Sequence, residues 1–312
     1  MRKAFVAAVS LLFCAGALAQ SFATRPVQFI VTFDPGGSVD IIARSMQPKL
    51  TAVLGQPVVV VNRPGASGSV GAGALASAAP DGHTIAILAM GATVMLPHFR
   101  KLPYSLDSFD FLCQVNSSPV LVMVAPNSAH RDIRELLAFG KANPAKMFYG
   151  SPGIGTPDHL NSAYFLRLNG ASGTHVPYQG SGAAAGALKA GQIEFLTNTT
   201  VLMRGQQLRP LAVMAAKRLP ELPEVPTAGE VGPAAEASIW SVLAAPKGLP
   251  ANVRRDLETA CRTTLEDAEY RALAERGGFA PAWRDGAATR AYLQKEFEKY
   301  GPIIKAEGLE RQ

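Results

Sequence analysis

The sequence predicts an α/β protein with two lobes and a ligand cleft between them, and three observations support this prediction. Short β-branched runs alternate with helix-period patterns along nearly the whole chain of 312 residues. This alternation is typical of βαβ units whose strands form a mainly parallel sheet covered on both faces. Glycine-rich turns join several strands to the helices that follow them, and two strands are placed where the chain is expected to cross between lobes.

The first lobe is predicted to begin with three strands that are rich in valine and isoleucine, as expected for strands buried on both faces. They are Val27–Phe33, Val58–Val61 and Thr84–Ala89. Ser38–Leu54 has the apolar period of a helix, and Gly65–Ala78 is predicted to be partly helical.

The second lobe is predicted to follow the buried strand Pro119–Asn127. Helices are expected at Ile133–Ala142, Thr156–Asn169 and Ser181–Ala190, and strands at Met147–Tyr149, Thr174–Tyr178, Ile193–Asn198 and Leu208–Ala216. Lys217–Pro233, rich in proline and glutamate, is predicted to be irregular.

The chain is expected to return to the first lobe through the strand Ile239–Pro246. The last part is predicted to be mainly helical, at Ala251–Leu265, Asp267–Arg276 and Ala287–Ala306. The predicted boundaries are 20–122 plus 243–312 for the first lobe and 123–242 for the second.

The first 19 residues have the pattern of a cleavable export signal. Arg2 and Lys3 precede the apolar run Ala4–Leu18, and Ala17-Leu18-Ala19 provides the small residues of a cleavage site. The apolar run is shorter than the ~20 residues that a membrane-spanning helix needs. The sequence therefore predicts an exported protein that is cut after Ala19.

Charge and cysteine content place mild limits on the partners of the mature chain. Without the signal, 28 Lys and Arg stand against 24 Asp and Glu, a surplus that attracts anions only mildly. Basic residues are scattered and no aromatic-basic stripe is present, so no nucleic-acid partner is predicted. Cys113 and Cys261 are compatible with a disulfide or with two free buried thiols.

The chain lacks the sequence patterns of an enzyme. Neither G-x-S-x-G nor the phosphate loop G-x-x-x-x-G-K-[ST] is present, and "GAGALA" (Gly71–Ala76) lacks the context of a dinucleotide site. The five histidines show no metal-ligand spacing. No catalytic residue, cofactor or metal site is predicted.

The stretch "IVTFDPGGSVDIIAR" (Ile30–Arg44) contains a turn that is suited to holding an anion. A strand leads through Asp34-Pro35-Gly36-Gly37 into a helix, where backbone amides have no partner and the helix dipole favours negative charge. Asp40 lies in the first helical turn, so it either stabilises the helix start or contacts the ligand.

Asp34 puts a carboxylate beside this turn, where it would repel an anionic ligand. Three arrangements are open from the sequence. The side chain points to solvent, or it pairs with a basic residue such as Arg44, or it faces the cleft and receives a cationic group of the ligand.

Two more turns repeat the design in the second predicted lobe. "GSPGIGTPDH" (Gly150–His159) offers small side chains and free amides at Ser151, Gly153, Gly155 and Thr156. Thr156 is either a helix cap or a ligand contact, and His159 either contacts the ligand or packs behind it. "PYQGSGAAAG" (Pro177–Gly186) presents Gly180 and Ser181. Three such turns on two lobes predict a cleft that holds a small anion from both sides.

Several stretches, in order along the chain, resemble one known family. They include "VVVVNRPGASGSVGAGALASAAPDGHT" (Val58–Thr84), "GSPGIGTPDHL" (Gly150–Leu160), "THVPYQG" (Thr174–Gly180) and "LAVMAAKRLPELPEVPTAGEVG" (Leu211–Gly232). Together they resemble the Bug, or TctC-like, family of periplasmic solute receptors of tripartite tricarboxylate transporters.

This resemblance covers nearly the whole mature chain and implies a function. It implies a type II periplasmic-binding-protein fold, a location in the periplasm, and a monomer that closes by hinge motion on a carboxylate or amino acid and delivers it to membrane permease subunits. It also implies the ligand-binding residues, which are Phe33, Asp34, Pro35, Gly36, Gly37, Asp40, Gly91, Ala92, Ser151, Gly153, Ile154, Gly155, Thr156, His159, Gly180, Ser181 and Asn198.

The chain departs from the family pattern at several pocket positions. Thr32 stands where the family usually has proline, Ala163 where it has glutamate, and Asn198 where it has aspartate. The identity of the ligand therefore cannot be transferred. A sensor that presents its ligand to a signalling partner and an exported α/β enzyme are the alternative functions.

Overall fold

The computed structural model describes residues 22–33, 35–36, 38–178 and 180–309. The predicted export signal lies outside the described residues. No helix in the described part of the chain is both long and apolar enough to cross a membrane.

The first part of the chain forms three parallel strands with helices between them. The strands are β1 (Val27–Val31), β2 (Val58–Asn62) and β3 (Thr84–Ala89), with β1 in the middle. The helices are α1 (Ser38–Leu54) and α2 (Ser69–Ala76), and a short 3₁₀ turn, Ala66–Gly68, precedes α2. A π-helical turn at Gly91–Met95 and α3 (Leu96–Phe99) follow β3.

The middle of the chain begins with one long strand and then alternates helices with short strands. The elements in order are β4 (Phe109–Val124), α4 (Ile133–Ala142), β5 (Phe148–Ser151), α5 (Pro157–Leu168), β6 (Thr174–Pro177), α6 (Ser181–Lys189), β7 (Phe195–Asn198), α7 (Thr200–Gln206), β8 (Arg209–Met214) and α8 (Ala228–Val231). The α8 turn lies within the segment that the sequence predicts to be irregular.

The last part of the chain returns to the first strands. Its elements are β9 (Ser238–Pro246), α9 (Ala251–Glu266), α10 (Ala268–Gly277), β10 (Pro281–Asp285) and α11 (Gly286–Ala306). Aspartates start three of the helices by accepting hydrogen bonds from free backbone amides, which is the usual role of an N-cap. They are Asp132 before α4, Asp267 before α10 and Asp285 before α11.

The described strands form one sheet in the order β2-β1-β3-β9-β4-β7-β5-β6, with β10 and β8 also paired to β4. The pairs β1–β2, β1–β3, β5–β6 and β5–β7 are parallel, whereas β3–β9 and every pairing of β4 are antiparallel. The sheet is therefore mixed. The prediction of a mainly parallel sheet holds for the outer strands of each half but is wrong for the middle.

β4 belongs to both halves of the sheet. Its residues 109–119 pair with β9, and residues 113–116 also pair with β10. Its residues 120–124 pair instead with β8 and, in part, with β7. We call the strands β2, β1, β3, β9 and β10 with their helices the first half, and β7, β5, β6 and β8 with theirs the second half.

Helices cover both faces of the sheet in each half. In the first half, α1 and α9 pack on one face and α2 and α11 on the other, where Trp240 and Tyr300 are buried. In the second half, α4 and α5 pack on one face and α6 and α7 on the other. Burial of this apolar surface is the main contribution to the stability of both halves.

The strand Pro119–Asn127 was predicted about ten residues too short at its start, because polar residues interrupt the apolar pattern of β4. Asp110 is 2% exposed, accepts hydrogen bonds from the amides of Gly248 and Leu249, and pairs with Lys247 and Arg254. Burial alone would raise the pKa of Asp110, but these partners together lower it below its usual value. A buried polar residue satisfied in this way fits a central strand, but a hydropathy pattern does not reveal it.

Cys113 of β4 and Cys261 of α9 form a disulfide. Of the two states that the sequence allows, the structure contains the bridged one. The bond ties the strand shared by both halves to a helix that packs on the first half.

Candidate functional site

The predicted site residues lie where parallel strands end. In open α/β sheets, ligands bind at the carboxyl ends of parallel strands, where each strand turns into a helix. In the first half, β1, β2 and β3 have their carboxyl ends at one edge of the sheet. In the second half, β5, β6 and β7 form a second such edge. Each predicted site residue that the structure describes lies at one of these strand ends or in the helix start after it.

Asp40 holds the turn after β1 together. One carboxylate oxygen accepts hydrogen bonds from the Gly36 amide (2.9 Å) and Arg44 Nε (2.8 Å), and the other from Asn62 Nδ2 (2.8 Å). Burial alone would raise the pKa of Asp40, but its partners and the charge of Arg44 lower it below its usual value. With these partners, Asp40 has the structural role that the sequence left open. A direct contact with the ligand remains a prediction.

Asn62 and Gly68 also hold Phe33, the residue that precedes this turn. Asn62 Nδ2 also donates to the Phe33 carbonyl at 2.9 Å. At Gly68, where φ is +91°, a Cβ atom would lie 3.3 Å from the Phe33 ring, so glycine allows the ring to pack closely there. Pro35 and Gly36 are exposed at the tip of the turn. Asp34 and Gly37 lie outside the described residues.

The turn after β3 adds Gly91 and Ala92 to this edge. Ala92 is buried and its carbonyl accepts a hydrogen bond from the Tyr104 hydroxyl at 2.9 Å. Gly91 faces open space, since a Cβ atom there would meet nothing within 4 Å. Gly91 therefore leaves space beside its backbone at this strand end.

Ser151 organises the turn after β5. Its Oγ accepts a hydrogen bond from the Gly153 amide at 3.1 Å and lies 2.7 Å from His175 Nε2. The Thr156 hydroxyl donates to the Gly153 carbonyl at 2.7 Å. Thr156 occupies the N-cap position of α5, but its hydroxyl bonds the turn rather than a helix amide, so its side chain does not cap the helix. Ile154, at the tip, is 60% exposed.

His159 lies behind this turn rather than at its surface. It is 3% exposed, its Nδ1 accepts the Gly155 amide at 3.0 Å, and its ring stacks on His175 with centroids 3.7 Å apart. Burial lowers the pKa of His159 to about 3, helped by His175, and burial lowers the pKa of His175 to about 4. The neutral His159 ring thus supports the turn, which fits the packing role that the sequence left open, and a contact with the ligand remains a prediction.

The two halves touch beside this turn. A Cβ atom on Gly155, where φ is +72°, would lie 2.5 Å from Cζ of Phe99 in α3. The Phe99 ring of the first half therefore packs directly against the glycine backbone of the second half. A second contact joins the halves at α5, where the Tyr300 hydroxyl of α11 donates to Asn161 Oδ1 at 2.8 Å.

Three strand ends of the second half converge on one polar cluster. Asn198 Nδ2, at the end of β7, donates to Asp158 Oδ1 at 2.9 Å and lies 3.4 Å from Ser181 Oγ at the start of α6. Gly180 precedes α6 with a φ of +131°. The structure thus places Ser181 and the adjacent Gly180 beside Asn198, and their contact with a ligand remains a prediction.

Asp158 is the member of this cluster that the sequence reasoning missed. The sequence analysis assigns it no role, although it follows a glycine-rich turn at the start of a helix, a signal that could have identified it. It is 6% exposed. Burial raises its pKa to about 7, even though hydrogen bonds from its own amide and from Asn198 oppose this shift.

The described residues contain no cluster of three or more potential metal ligands. The arrangement consists of backbone amides, hydroxyls and amide groups fixed by buried side chains. Such an arrangement can bind and orient a small polar molecule.

A family model described as the tripartite tricarboxylate transporter family receptor, TctC, matches residues 42–309. Among solved structures, the periplasmic binding protein BugD is 28% identical, with a TM-score of 0.78 and coverage of 93% of this chain and 99% of BugD. MatC from Rhodopseudomonas palustris, with bound malate, is 27% identical, with a TM-score of 0.78 and coverage of 90% and 99%. Rpa4515 from R. palustris, with adipate, is 27% identical, with a TM-score of 0.81 and coverage of 93% and 99%.

Fold and site define a solute-binding receptor, not an enzyme, and the α/β periplasmic-binding-protein fold predicted from the sequence is confirmed. The chain belongs to the tripartite tricarboxylate transporter receptor family, the Bug or TctC-like family.

Proposed function

We propose that this receptor binds a small carboxylate-bearing ligand, an organic acid or an amino acid, in a cleft between the two halves. One observation carries the proposal. Each half has an edge where its parallel strands end, and the two halves are in contact near these edges, where Phe99 packs on Gly155. Each edge offers turns and helix starts whose amides suit a carboxylate group. The malate and adipate bound by two structural neighbours support this ligand class.

We propose two lobes that correspond to these halves, with boundaries at 20–122 plus 243–312 and at 123–242, so that residues 238–242 of β9 belong to the second lobe. β4 and β9 are the strands in which the chain crosses between them. Hinge motion is often absorbed by a few residues in such crossings. The ligand would thus be held by turns from both lobes, with the closed form stabilised by contacts to each.

We propose further that the mature protein works in the periplasm, as a monomer, and delivers its ligand to the permease subunits of a tripartite transporter. The predicted export signal, the family and the periplasmic neighbour BugD support the location and the role in transport. The ligand-binding residues proposed from the sequence remain the candidates for its contacts.

Native mass spectrometry of the freshly purified protein, followed by a thermal-shift screen of mono-, di- and tricarboxylates and amino acids, tests the ligand class. A ligand that binds only the folded state stabilises it by about 2.7 kcal/mol at 100 times its dissociation constant. We expect a bound acid in the mass spectrum and a clear shift with members of the same class. If no acid co-purifies and none shifts the melting temperature, the proposal fails.

A further inference from the structure

We propose that Asp158 receives a positively charged amine of the ligand, so that this receptor prefers an amine-bearing acid to the same acid without the amine. The inference rests on the proposed function, because it assumes that a carboxylate-bearing ligand occupies the cleft. The inference narrows the proposed ligand class to acids with an amine and names Asp158 as the residue that recognises the amine.

The position of Asp158 places its carboxylate at the strand-end edge of the second half. It is the second residue of α5, directly after the turn that Ser151 and Thr156 organise. Its neighbours Asn198 and Ser181 come from the end of β7 and the start of α6, and both are only partly buried. Asn198 and Ser181 therefore connect the buried Asp158 to the partly exposed strand-end edge, where the proposed ligand would lie.

Among the described residues, Asn198 is the one other residue that donates a hydrogen bond to the Asp158 carboxylate. The Thr199 amide donates to Asn198 Oδ1 at 2.8 Å, which fixes the orientation of the Asn198 amide and points its NH₂ group at Asp158 Oδ1. Asp158 is therefore the acceptor in that contact. Its Oδ2 accepts no hydrogen bond from another residue among those that the structure describes.

The charges around Asp158 distinguish it from other buried carboxylates. Asp40 pairs with Arg44, Asp110 with Lys247 and Arg254, and Glu296 with Lys299. Of the carboxylates buried in the described part of the chain, Asp158 alone has no basic partner within 4.0 Å.

Burying a carboxylate without a cation is unfavourable, and a cation from the ligand would remove that cost. Burial of Asp158 raises its pKa to about 7, and no basic side chain of the described residues lies close enough to offset that shift. An α-amino acid satisfies both requirements of the cleft. Its carboxylate groups suit the amides of the turns, and its ammonium group suits Asp158.

Calorimetry at pH 8 with matched ligands tests the proposal. The probes are L-aspartate with succinate, L-glutamate with glutarate, and L-malate as a ligand with a neutral hydroxyl in place of the amine. We expect the wild type to bind the amine-bearing member of at least one pair at least tenfold more tightly. Asp158→Asn should abolish that preference by weakening binding of the amine and strengthening binding of the amine-free acid.

Two further variants separate recognition of the amine from a structural effect. Asp132→Asn removes a carboxylate at the start of α4, far from the cluster in the chain, and should leave the preference unchanged. The exchange Asp158→Asn with Asn198→Asp moves the carboxylate across one hydrogen bond and should restore part of the preference. This double variant also provides the test if Asp158→Asn alone does not fold.

Each outcome has a definite meaning. If the receptor binds acids without preferring the amine, or binds malate as tightly as aspartate, the inference is wrong while the proposed function stands. A preference that survives in Asp158→Asn also overturns it. If no acid of the panel binds, the proposed function fails, and the inference fails with it.

Discussion

A buried carboxyl group without a basic partner makes stability depend on pH in a direction that is unusual for an aspartate. In the folded protein, burial raises the pKa of Asp158 to about 7, whereas its usual value is 3.8. Between these values the folded state binds more protons than the unfolded state, so this group's contribution to stability falls as the pH rises. We expect that contribution to decrease from about pH 4 to about pH 7.

The comparison of wild type with Asp158→Asn isolates this effect. The asparagine variant lacks the titrating group, so its stability relative to the wild type should increase from pH 4 to pH 8. Urea denaturation of both proteins without ligand measures the difference at each pH. A constant difference would show that Asp158 does not titrate in this range.

The stacked histidines behind the second-half turn produce the opposite trend. Burial holds the pKa of His159 at about 3 and that of His175 at about 4, below the usual value of 6.5. The unfolded state therefore binds more protons between about pH 6.5 and pH 3, and stability is lost as the pH falls through this window. We expect His175→Asn to lose less stability than the wild type between pH 6.5 and pH 4. Equal losses in the two proteins would contradict this prediction.

At the scale of elements, two glycine substitutions distinguish the effect of the Phe99 contact from the effect of backbone strain. Gly155 and Gly170 have φ angles of +72° and +65°, so alanine at either position costs roughly 1–2 kcal/mol. A Cβ atom on Gly155 would also displace the Phe99 ring, whereas one on Gly170 would meet nothing within 4 Å.

We therefore expect Gly155→Ala to weaken ligand binding and Gly170→Ala to leave it unchanged, with similar losses of stability from the backbone in both. Calorimetry with the acid that gives the largest thermal shift measures the affinity, and urea denaturation measures the stability. Equal affinities in the two variants would mean that the Phe99 contact does not matter for binding.

The disulfide joins two elements that are 148 positions apart in sequence. Closing so long a loop restricts the unfolded chain, and native disulfides stabilise by about 2–4 kcal/mol, or more for long loops. We expect a reductant to lower the melting temperature of the wild type and to have no effect on Cys113→Ala/Cys261→Ala, which should melt near the reduced wild type. A wild type that melts equally with and without reductant would contradict this.

The elements that the sequence predicted well are those whose pattern depends on local chemistry. The helix Ser38–Leu54 and the strand Thr84–Ala89 match the structure at both ends, because their apolar periods are uninterrupted. β10 and α7 were missed because they are short, and β10 is polar and pairs only with β4. Short polar segments acquire their structure from distant partners, which a local pattern does not contain.

In the candidate site, too, the features with a local pattern were predictable and those that depend on distant partners were not. Glycine-rich turns before helices were visible in the sequence, and the described ones lie at the expected strand ends. The hydrogen bonds that connect Asp158 to Asn198 join residues 40 positions apart, and the stacking of His159 on His175 also depends on the fold. No spacing rule in the sequence indicates such contacts.

At the scale of the whole molecule, the proposed function predicts a change of shape. A ligand held by turns of both lobes should favour the closed arrangement. We expect the radius of gyration in small-angle scattering to decrease when the tightest acid of the thermal-shift screen is added at saturation. The protein in matched buffer without ligand and the protein with a non-binding acid serve as controls. Identical curves with and without the ligand would contradict closure.

The position of β9 in the sheet determines when the first half can fold during translation. β9 lies between β3 and β4, although about 110 residues of the second half are made after β4 and before Ser238. Until that point in translation, β3 and β4 each lack their neighbour, and open strand edges attract other chains. The first half thus cannot close its sheet before the ribosome has passed Pro246. The first half of a growing chain therefore stays incompletely folded for most of its synthesis, which is a state compatible with the export that the sequence predicts.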